Sequence, residues 1–433
     1  MEWYIVGTAV FGILVFLIAF GLPVPFAMMA ASMPFLWMIQ DWSTSLVSIE
    51  LMVWKTWVHY ILLAVPLFIF LGELVGRSSI GSRLYGAMHR GVPIRGAAAY
   101  GSIGACAGFG AVCGASLIGA LTIGRVALPE MLKLGYGVRL STGAIAAGGT
   151  LSVLIPPSLI LIFYGIVSEV SIGALFLGGV VPGLMIASAF LVVIFIWRFA
   201  RPEDVPAKGD EDKLRLQDLV LAYLPIVVIA LVIIGAVYFG IATPTEAAAV
   251  AVVATIIFAM MMGGMSIGGV FDALLSTMKT MGYLGLLLAG AMILGFVLNY
   301  HQVPQQFTSA FVALDLSPYT VLAMVLLFYL ILGMFLDPAS MIFITLPTLL
   351  PLIESSGYNL LWFGIVHTIT MEIAVLTPPI GINLYILQSL APNVRITDVI
   401  IGVLPFIGAL LTVMGLLILI PDLALWLPQI ARG

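Results

Sequence analysis

From residue 280 to residue 394 the chain contains no lysine and no arginine. Apolar runs of about the length needed to cross a hydrocarbon layer recur on both sides of that stretch, broken by glycine, proline or short polar clusters. Only 8% of the 433 residues are charged, while 62% are hydrophobic. A soluble domain carries roughly 25% charged residues, so this chain cannot give itself a wetted surface. A soluble globular enzyme and a disordered chain are both excluded. The expected class is an all-α polytopic membrane protein whose outer solvent is the lipid bilayer. No basic stripe is present, so nucleic acid is not an expected partner. The two cysteines, Cys106 and Cys113, read as small packing residues rather than a disulfide or metal pair. The first apolar run has no basic start and runs into a second one, so no cleavable signal peptide is expected.

Ten simple crossings are expected, near 3–20, 24–40, 54–76, 140–165, 172–198, 217–238, 243–262, 280–300, 361–390 and 398–427. Two further apolar stretches, 97–133 and 317–352, are interrupted and read as re-entrant hairpins that enter and leave on one side. The basic residues orient this scheme. The loops at 77–95, 133–139, 198–216, 263–279 and 391–397, with the adjoining hairpin end, hold fourteen of the sixteen Lys and Arg. By the positive-inside rule those loops are cytoplasmic and both termini are outside, which in a bacterium is the periplasm. The segment 77–95, with Arg77, Arg83, Arg90 and Arg95, is expected to lie along the inner surface as an amphipathic connector.

The polar linker 201–216 divides the chain into halves that resemble each other. Pro129, Gly135 and Tyr136 pair with Pro351, Gly357 and Tyr358 at an offset of 222, as do Pro156-Pro157 with Pro378-Pro379. A-V-C-G-A-S (111–116) pairs with F-L-D-P-A-S (335–340) at 224, and Leu71-Gly72 with Leu294-Gly295 at 223. In this topology the first unit enters its hairpin from inside and the second from outside, so the repeats are inverted, an arrangement that places binding sites near the membrane midplane. The expected organisation is N-terminal scaffold helices over 1–53, a first repeat over 54–200 with hairpin 97–133 and broken helix 140–165, the linker, scaffold helices over 217–279, and a second repeat over 280–427 with hairpin 317–352 and broken helix 361–390.

A proline pair removes two backbone donors and clashes with the preceding turn, so 148–158 and 372–383 are expected helix breaks. Broken backbone is tolerated at membrane depth only where it is buried in protein or lines a watered cavity, and its freed carbonyls suit a hard cation. Two quasi-symmetric sodium sites follow as an expectation. The first joins Cys113, Gly114 and Ser116 to Gly149, Thr150, Pro156 and Ser158. The second joins Gly333, Asp337 and Ser340 to Thr377, Pro379 and Asn383. A carboxylate substrate is expected between them, against Ser116, Pro157, Ser158, Ser340, Pro378, Gly381 and Asn383, with helix N-termini at Ser158 and near Gly381 supplying positive dipole ends. Asp337 reads either as an ion-linked residue or as a helix N-cap. Glu372 reads as a carboxyl hydrogen-bonded between helices, Glu246 as half of a capping box with Thr243, Glu73 as structural, and His367 as a satisfied polar group.

At G-T-L-S-V-L-I-P-P-S-L-I-L-I-F-Y-G (149–165), A-L-P-E-M-L-K-L-G-Y (127–136), I-A-T-P-T-E-A-A-A-V (241–250) and V-L-T-P-P-I-G-I-N-L-Y (375–385), the sequence resembles the large membrane subunit of tripartite ATP-independent periplasmic (TRAP) transporters. The resemblance covers essentially the whole chain. It implies an elevator-type secondary transporter in the bacterial inner membrane. It implies sodium as coupling ion and no other cofactor, an organic-acid cargo, a small four-helix membrane subunit and a periplasmic substrate-binding protein. One departure matters: the family's first tip often reads S-G-S-S, and here Cys113 and Ala115 replace two hydroxyls. Two other readings remain. One is a self-sufficient ion-coupled carboxylate transporter or antiporter. The other is an intramembrane serine protease, with Ser116 of Gly114-Ala115-Ser116 as nucleophile and His367 as base.

Overall fold

The computed structural model describes residues 2–39, 41–58, 60–91, 94–206, 216–378 and 381–432. Among them every regular element is a helix. The chain opens with α1 (Trp3–Ala19), α2 (Val24–Ile39) and α3 (Trp42–Trp57), and a 3-10 turn at Tyr60–Leu63 leads into α4 (Ala64–Arg77) and α5 (Ile80–Gly91). A first hairpin, α6 (Ala97–Cys113) and α7 (Ser116–Lys133), precedes a broken helix, α8 (Val138–Leu154) and α9 (Leu159–Ser168), and then the long α10 (Ile172–Ala200). The second half begins with α11 (Leu216–Tyr238), α12 (Pro244–Met261), α13 (Ile267–Tyr300) and α14 (Val303–Val312). A second hairpin, α15 (Pro318–Gly333) and α16 (Pro338–Ser355), is followed by a second break between α17 (Leu360–Leu376) and α18 (Ile382–Leu390), and by α19 (Ile396–Leu419) and α20 (Asp422–Arg432).

The helix ends follow local chemistry. Thr243 and Glu246 form the reciprocal capping box at the start of α12, with Glu246 N to Thr243 Oγ1 at 3.3 Å and Thr243 N to Glu246 Oε2 at 2.8 Å. Asn359 caps α17 through Leu361 N at 2.9 Å. The two hairpins close on the same turn. Gly135 and Gly357 both sit at φ +83°, and the following tyrosines, Tyr136 and Tyr358, donate back to Met131 O and Ile353 O at 3.0 and 3.3 Å. Only a residue without a Cβ takes that left-handed position freely, and the bonds satisfy carbonyls the helix leaves open.

Three expected boundaries are corrected. Residues 54–76 do not form one span: α3 ends at Trp57 and α4 restarts at Ala64. Pro66 lacks an N–H and fits the first turn of a helix, not the interior of one running through it. Residues 263–279 are not a loop. Ser266 caps α13 through Gly269 N at 3.2 Å, and no proline interrupts the 34 residues that follow. The last span stops at Leu419, because Pro421 turns Ile420 out of the helical region and α20 starts afresh. Six of the described helices are individually long and apolar enough to cross a membrane, α10, α11, α12, α13, α16 and α19, or eight counting the bent pairs α4–α5 and α8–α9. The remaining apolar helices are shorter.

Helix α8 is the centre of one group, buried along Leu140–Leu154 and packed on α6, α7 and α19; α17 is likewise buried from Leu361 to Leu376. Helices α2, α4, α12 and α13 pack together as a second group. Where the groups meet, Gly72 of α4 lies so close to the first hairpin that a Cβ there would be 2.9 Å from Cys113 Sγ.

The charged linker is pinned at its near end. Arg95, just before α6, donates to Val205 O at 2.6 Å and to Pro202 O, while Trp197 Nε1 donates to Asp204 Oδ2 at 3.0 Å. Gly137 N, before α8, donates to Asp204 O at 2.9 Å. Arg95→Ala is therefore expected to raise the rate of proteolytic cleavage within 201–216 several-fold while leaving the midpoint of global unfolding nearly unchanged, since the bonds lost are local and close to water.

Candidate functional site

The first hairpin ends where α6 stops at Cys113. Gly114 takes φ +67°, Ala115 is extended, and α7 starts at Ser116. This tip is seated in the break of the other helix pair. Leu159 N donates to Gly114 O at 3.2 Å, and a Cβ on Gly114 would lie 2.6 Å from Pro157 O. One turn along, a Cβ on Gly149 would sit 2.9 Å from Ser116 O, and one on Gly110 would sit 2.5 Å from Ser152 Cα. Glycine and alanine at these positions let backbone approach backbone, so the approach is set by composition rather than by any one bond. Cys113, Gly114, Ser116, Gly149, Pro156 and Ser158 are thus gathered at one junction.

The polar atoms there are only partly committed. Thr150 Oγ1 donates back to Ala147 O at 2.6 Å, and Ser158 caps α9 by accepting from Leu161 N at 3.2 Å. Ser152 Oγ is buried with no hydrogen-bond partner. Pro156 and Pro157 present no N–H to the carbonyls of Ser152 and Val153, which leaves acceptors at the C-terminal end of α8.

The second hairpin turns at Met334–Asp337. Asp337 is the N-cap of α16: it accepts from Ser340 N at 3.0 Å and from the Ser340 hydroxyl. Of its two expected roles, the cap is the one the structure displays. Tyr283 of α13 faces Asp337 and Ser340. Gly333 packs on the second broken helix, a Cβ there falling 2.6 Å from Ala374 Cβ. Thr377 Oγ1 donates to Ile373 O at 2.6 Å, Asn383 is buried with its amide nitrogen unbonded, and Gly381 takes φ +48°. Among the described residues no hydrogen bond joins Asp337 or Ser340 to Thr377, Pro378, Gly381 or Asn383; Pro379 lies outside the described residues.

Glu372 departs from expectation. It is fully buried on α17 with neither carboxylate oxygen hydrogen-bonded, and the Ser116 hydroxyl faces it without closing a bond. His367 is also buried with both ring nitrogens unbonded, inside an aromatic box of Tyr164, Tyr329 and Phe363, the Tyr329 ring centroid lying 4.2 Å away. It is not the satisfied polar group the sequence led one to expect. Glu73 pairs with Arg77 at 2.9 Å one turn on, as a structural residue does.

A cavity of about 950 Å³ lies apart from both tips. Tyr60, Thr243, Thr245 and Asn299 line one side, and the turn after α9 with Phe343 and Pro347 of α16 lines the other. None of the expected site residues lines it. Sequence reasoning gave no signal for it, because its walls come from six separate segments.

This architecture has relatives. The family model described as "Tripartite ATP-independent periplasmic transporter, DctM component" matches residues 11–423. The chain belongs to that family. The chain is 33% identical to the C4-dicarboxylate TRAP transporter large permease protein DctM of Pseudomonas aeruginosa over 88% of its own length and 89% of the relative's. It is 28% identical to the sialic acid TRAP transporter large permease protein SiaM of Vibrio cholerae, over 98% and 99%. In fold it resembles the Alcanivorax borkumensis YdaH transporter, with a TM-score of 0.60 and 14% identity over 84% of each chain. The permease is a membrane transporter subunit and not an enzyme. His367 is enclosed by the rings of Tyr164, Tyr329 and Phe363.

Proposed function

We propose that this permease imports an organic carboxylate by a sodium-coupled elevator mechanism. The cargo is handed over by a soluble periplasmic binding protein, and a small four-helix membrane subunit completes the complex in the bacterial inner membrane, with both termini periplasmic. The observation that carries the reading is the seating of the first hairpin tip in a proline break, Leu159 N on Gly114 O at 3.2 Å. Open carbonyls and an unbonded serine hydroxyl lie at the first junction, and the buried Asn383 side chain brings an amide oxygen to the second, the oxygen donors a hard monovalent cation takes.

The charge inventory supports coupling. No Lys or Arg lies between residues 280 and 394, so that half offers an anion no fixed cation. Bound sodium and the N-terminal ends of α9 and α18 supply the attraction instead. The hairpins and broken helices would move together across the group formed by α2, α4, α12 and α13. In the proposed orientation the 950 Å³ cavity opens toward the periplasm and receives the cargo. Relatives named for C4-dicarboxylate and sialic acid both carry carboxylates, which fits this cargo class.

The test is uptake of a radiolabelled carboxylate panel into proteoliposomes holding the permease and small subunit, with sodium or choline outside, and with or without the binding protein. Uptake is expected only when sodium and binding protein are both present. Uptake that proceeds without the binding protein would establish a self-sufficient transporter, and uptake indifferent to sodium would remove the coupling.

A further inference from the structure

We propose that the Glu372 carboxylate is a ligand, and the counter-charge, for a sodium ion held at the first hairpin tip. This rests on the sodium reading above and adds a residue to it. Glu372 is entirely shielded from solvent, on a helix whose residues are buried from Leu361 to Leu376, and both its oxygens are without hydrogen-bond partners. A bare carboxylate in such surroundings is costly, and proteins retain one where something else occupies the space in front of it. No lysine or arginine does so, for Glu372 forms no ion pair among the described residues. Nor does His367 on the same helix, whose ring is packed against Tyr164, Tyr329 and Phe363.

What Glu372 does face is Ser116, the first residue of α7 and the one hydroxyl left in the tip Cys113-Gly114-Ala115-Ser116. That tip is short of oxygen ligands, since Cys113 offers a buried thiol and Ala115 nothing. A carboxylate brought from the other half of the chain replaces what it lacks. No group of three or more His, Cys, Asp or Glu occurs among the described residues, so a transition metal is not the cation. One carboxylate among neutral oxygens matches a single positive charge, which selects a monovalent ion.

The position is also distinctive within the sequence. Glu372 precedes Pro378 by the same six residues that separate Thr150 from Pro156. Thr150 satisfies its hydroxyl on Ala147 O at 2.6 Å, one turn back in its own helix. An ionised glutamate has no proton to donate in that way. Glu372 thus reaches across to the tip of the other half, and an ion held there would tie the two halves together.

The experiment is thermal unfolding of the full-length chain in lipid nanodiscs, titrated with NaCl against choline chloride at constant ionic strength, for the wild type, Glu372→Gln and Ser116→Ala. Without sodium, Glu372→Gln is expected to melt above the wild type, because an uncompensated buried charge has gone. The half-saturating sodium concentration is expected to rise roughly tenfold or more in Glu372→Gln, and in the same direction in Ser116→Ala, as loss of a charged ligand demands. Glu372→Gln with a wild-type sodium midpoint would overturn the assignment and show the side chain to be a neutral, protonated packing residue. Should Glu372→Gln not fold, Ser116→Ala decides, and an unchanged midpoint there overturns it equally. A wild type that ignores sodium altogether would instead overturn the coupling reading, and this assignment with it.

Discussion

Gly114→Val is expected to lower uptake by about two orders of magnitude while leaving the helical content of the purified protein unchanged. Two costs act together at this residue. Its backbone is at φ +67°, where a β-branched side chain is strained by ~1–3 kcal/mol. Its Cβ would also stand 2.6 Å from Pro157 O, a backbone atom that cannot rotate away, and overpacking of this kind costs ~1–3 kcal/mol more. Since each ~1.4 kcal/mol is tenfold in an equilibrium constant, even ~3 kcal/mol lowers the equilibrium constant for seating the tip about a hundredfold. Gly135→Ala is the control: it has φ +83° with no atom within 4 Å of a new Cβ, so it bears only the strain and should transport nearly normally. Equal losses in both variants would mean that backbone strain, not the seating of the tip, sets the rate. Wild-type uptake in Gly114→Val would mean that the tip need not be seated at all.

The tips and breaks were legible because their residues are punctuators. Gly114, Pro156-Pro157, Asp337-Pro338 and Pro378 each forbid a continuous helix for a local reason, and local reasons survive in sequence. Gly135 and Gly357, paired at one offset in the sequence, head the same turn in the two halves. The span boundaries failed where the deciding feature was weaker. Ser266 starts α13 well before the apolar run that flagged it, and Pro66 passed for a residue inside a span although it belongs to the first turn of a new helix. The unbonded state of Glu372 was not legible at all. Whether a carboxyl finds a partner depends on what α7 brings to α17, and no periodicity encodes that. Ser152 and Tyr283 were missed likewise, since an ordinary serine and tyrosine in apolar runs carry no signal until a neighbouring helix is placed on them.

The same blindness applies to the contact with the largest expected effect on stability. Helices α8 and α19 cross with Gly143 against Gly402, a Cβ on Gly143 falling 2.2 Å from Gly402 O and one on Gly402 falling 2.2 Å from Arg139 O. Beside the crossing, Arg139 Nε meets Asp398 Oδ1 at 2.9 Å, which fixes the register at this end of the pair. In lipid the helices gain little from burying apolar surface against each other, so close packing and interhelical contact hold them. Valine at either glycine meets a carbonyl that belongs to a helix ladder, so the two axes must separate along much of their shared length. The expected cost of Gly402→Val is ~3 kcal/mol or more, enough to remove most of a marginal margin of stability. It should appear as a markedly lower melting temperature, or as loss of the monodisperse peak in fluorescence-detected size exclusion. Gly408→Val and Gly415→Val lie on the same helix with nothing within 4 Å of the new Cβ, and both should melt as the wild type does. If Gly402→Val melted with them, α19 would not rest on α8 at this depth. The sensitivity of a glycine in such a helix is set by what stands opposite it, and only the folded chain shows that.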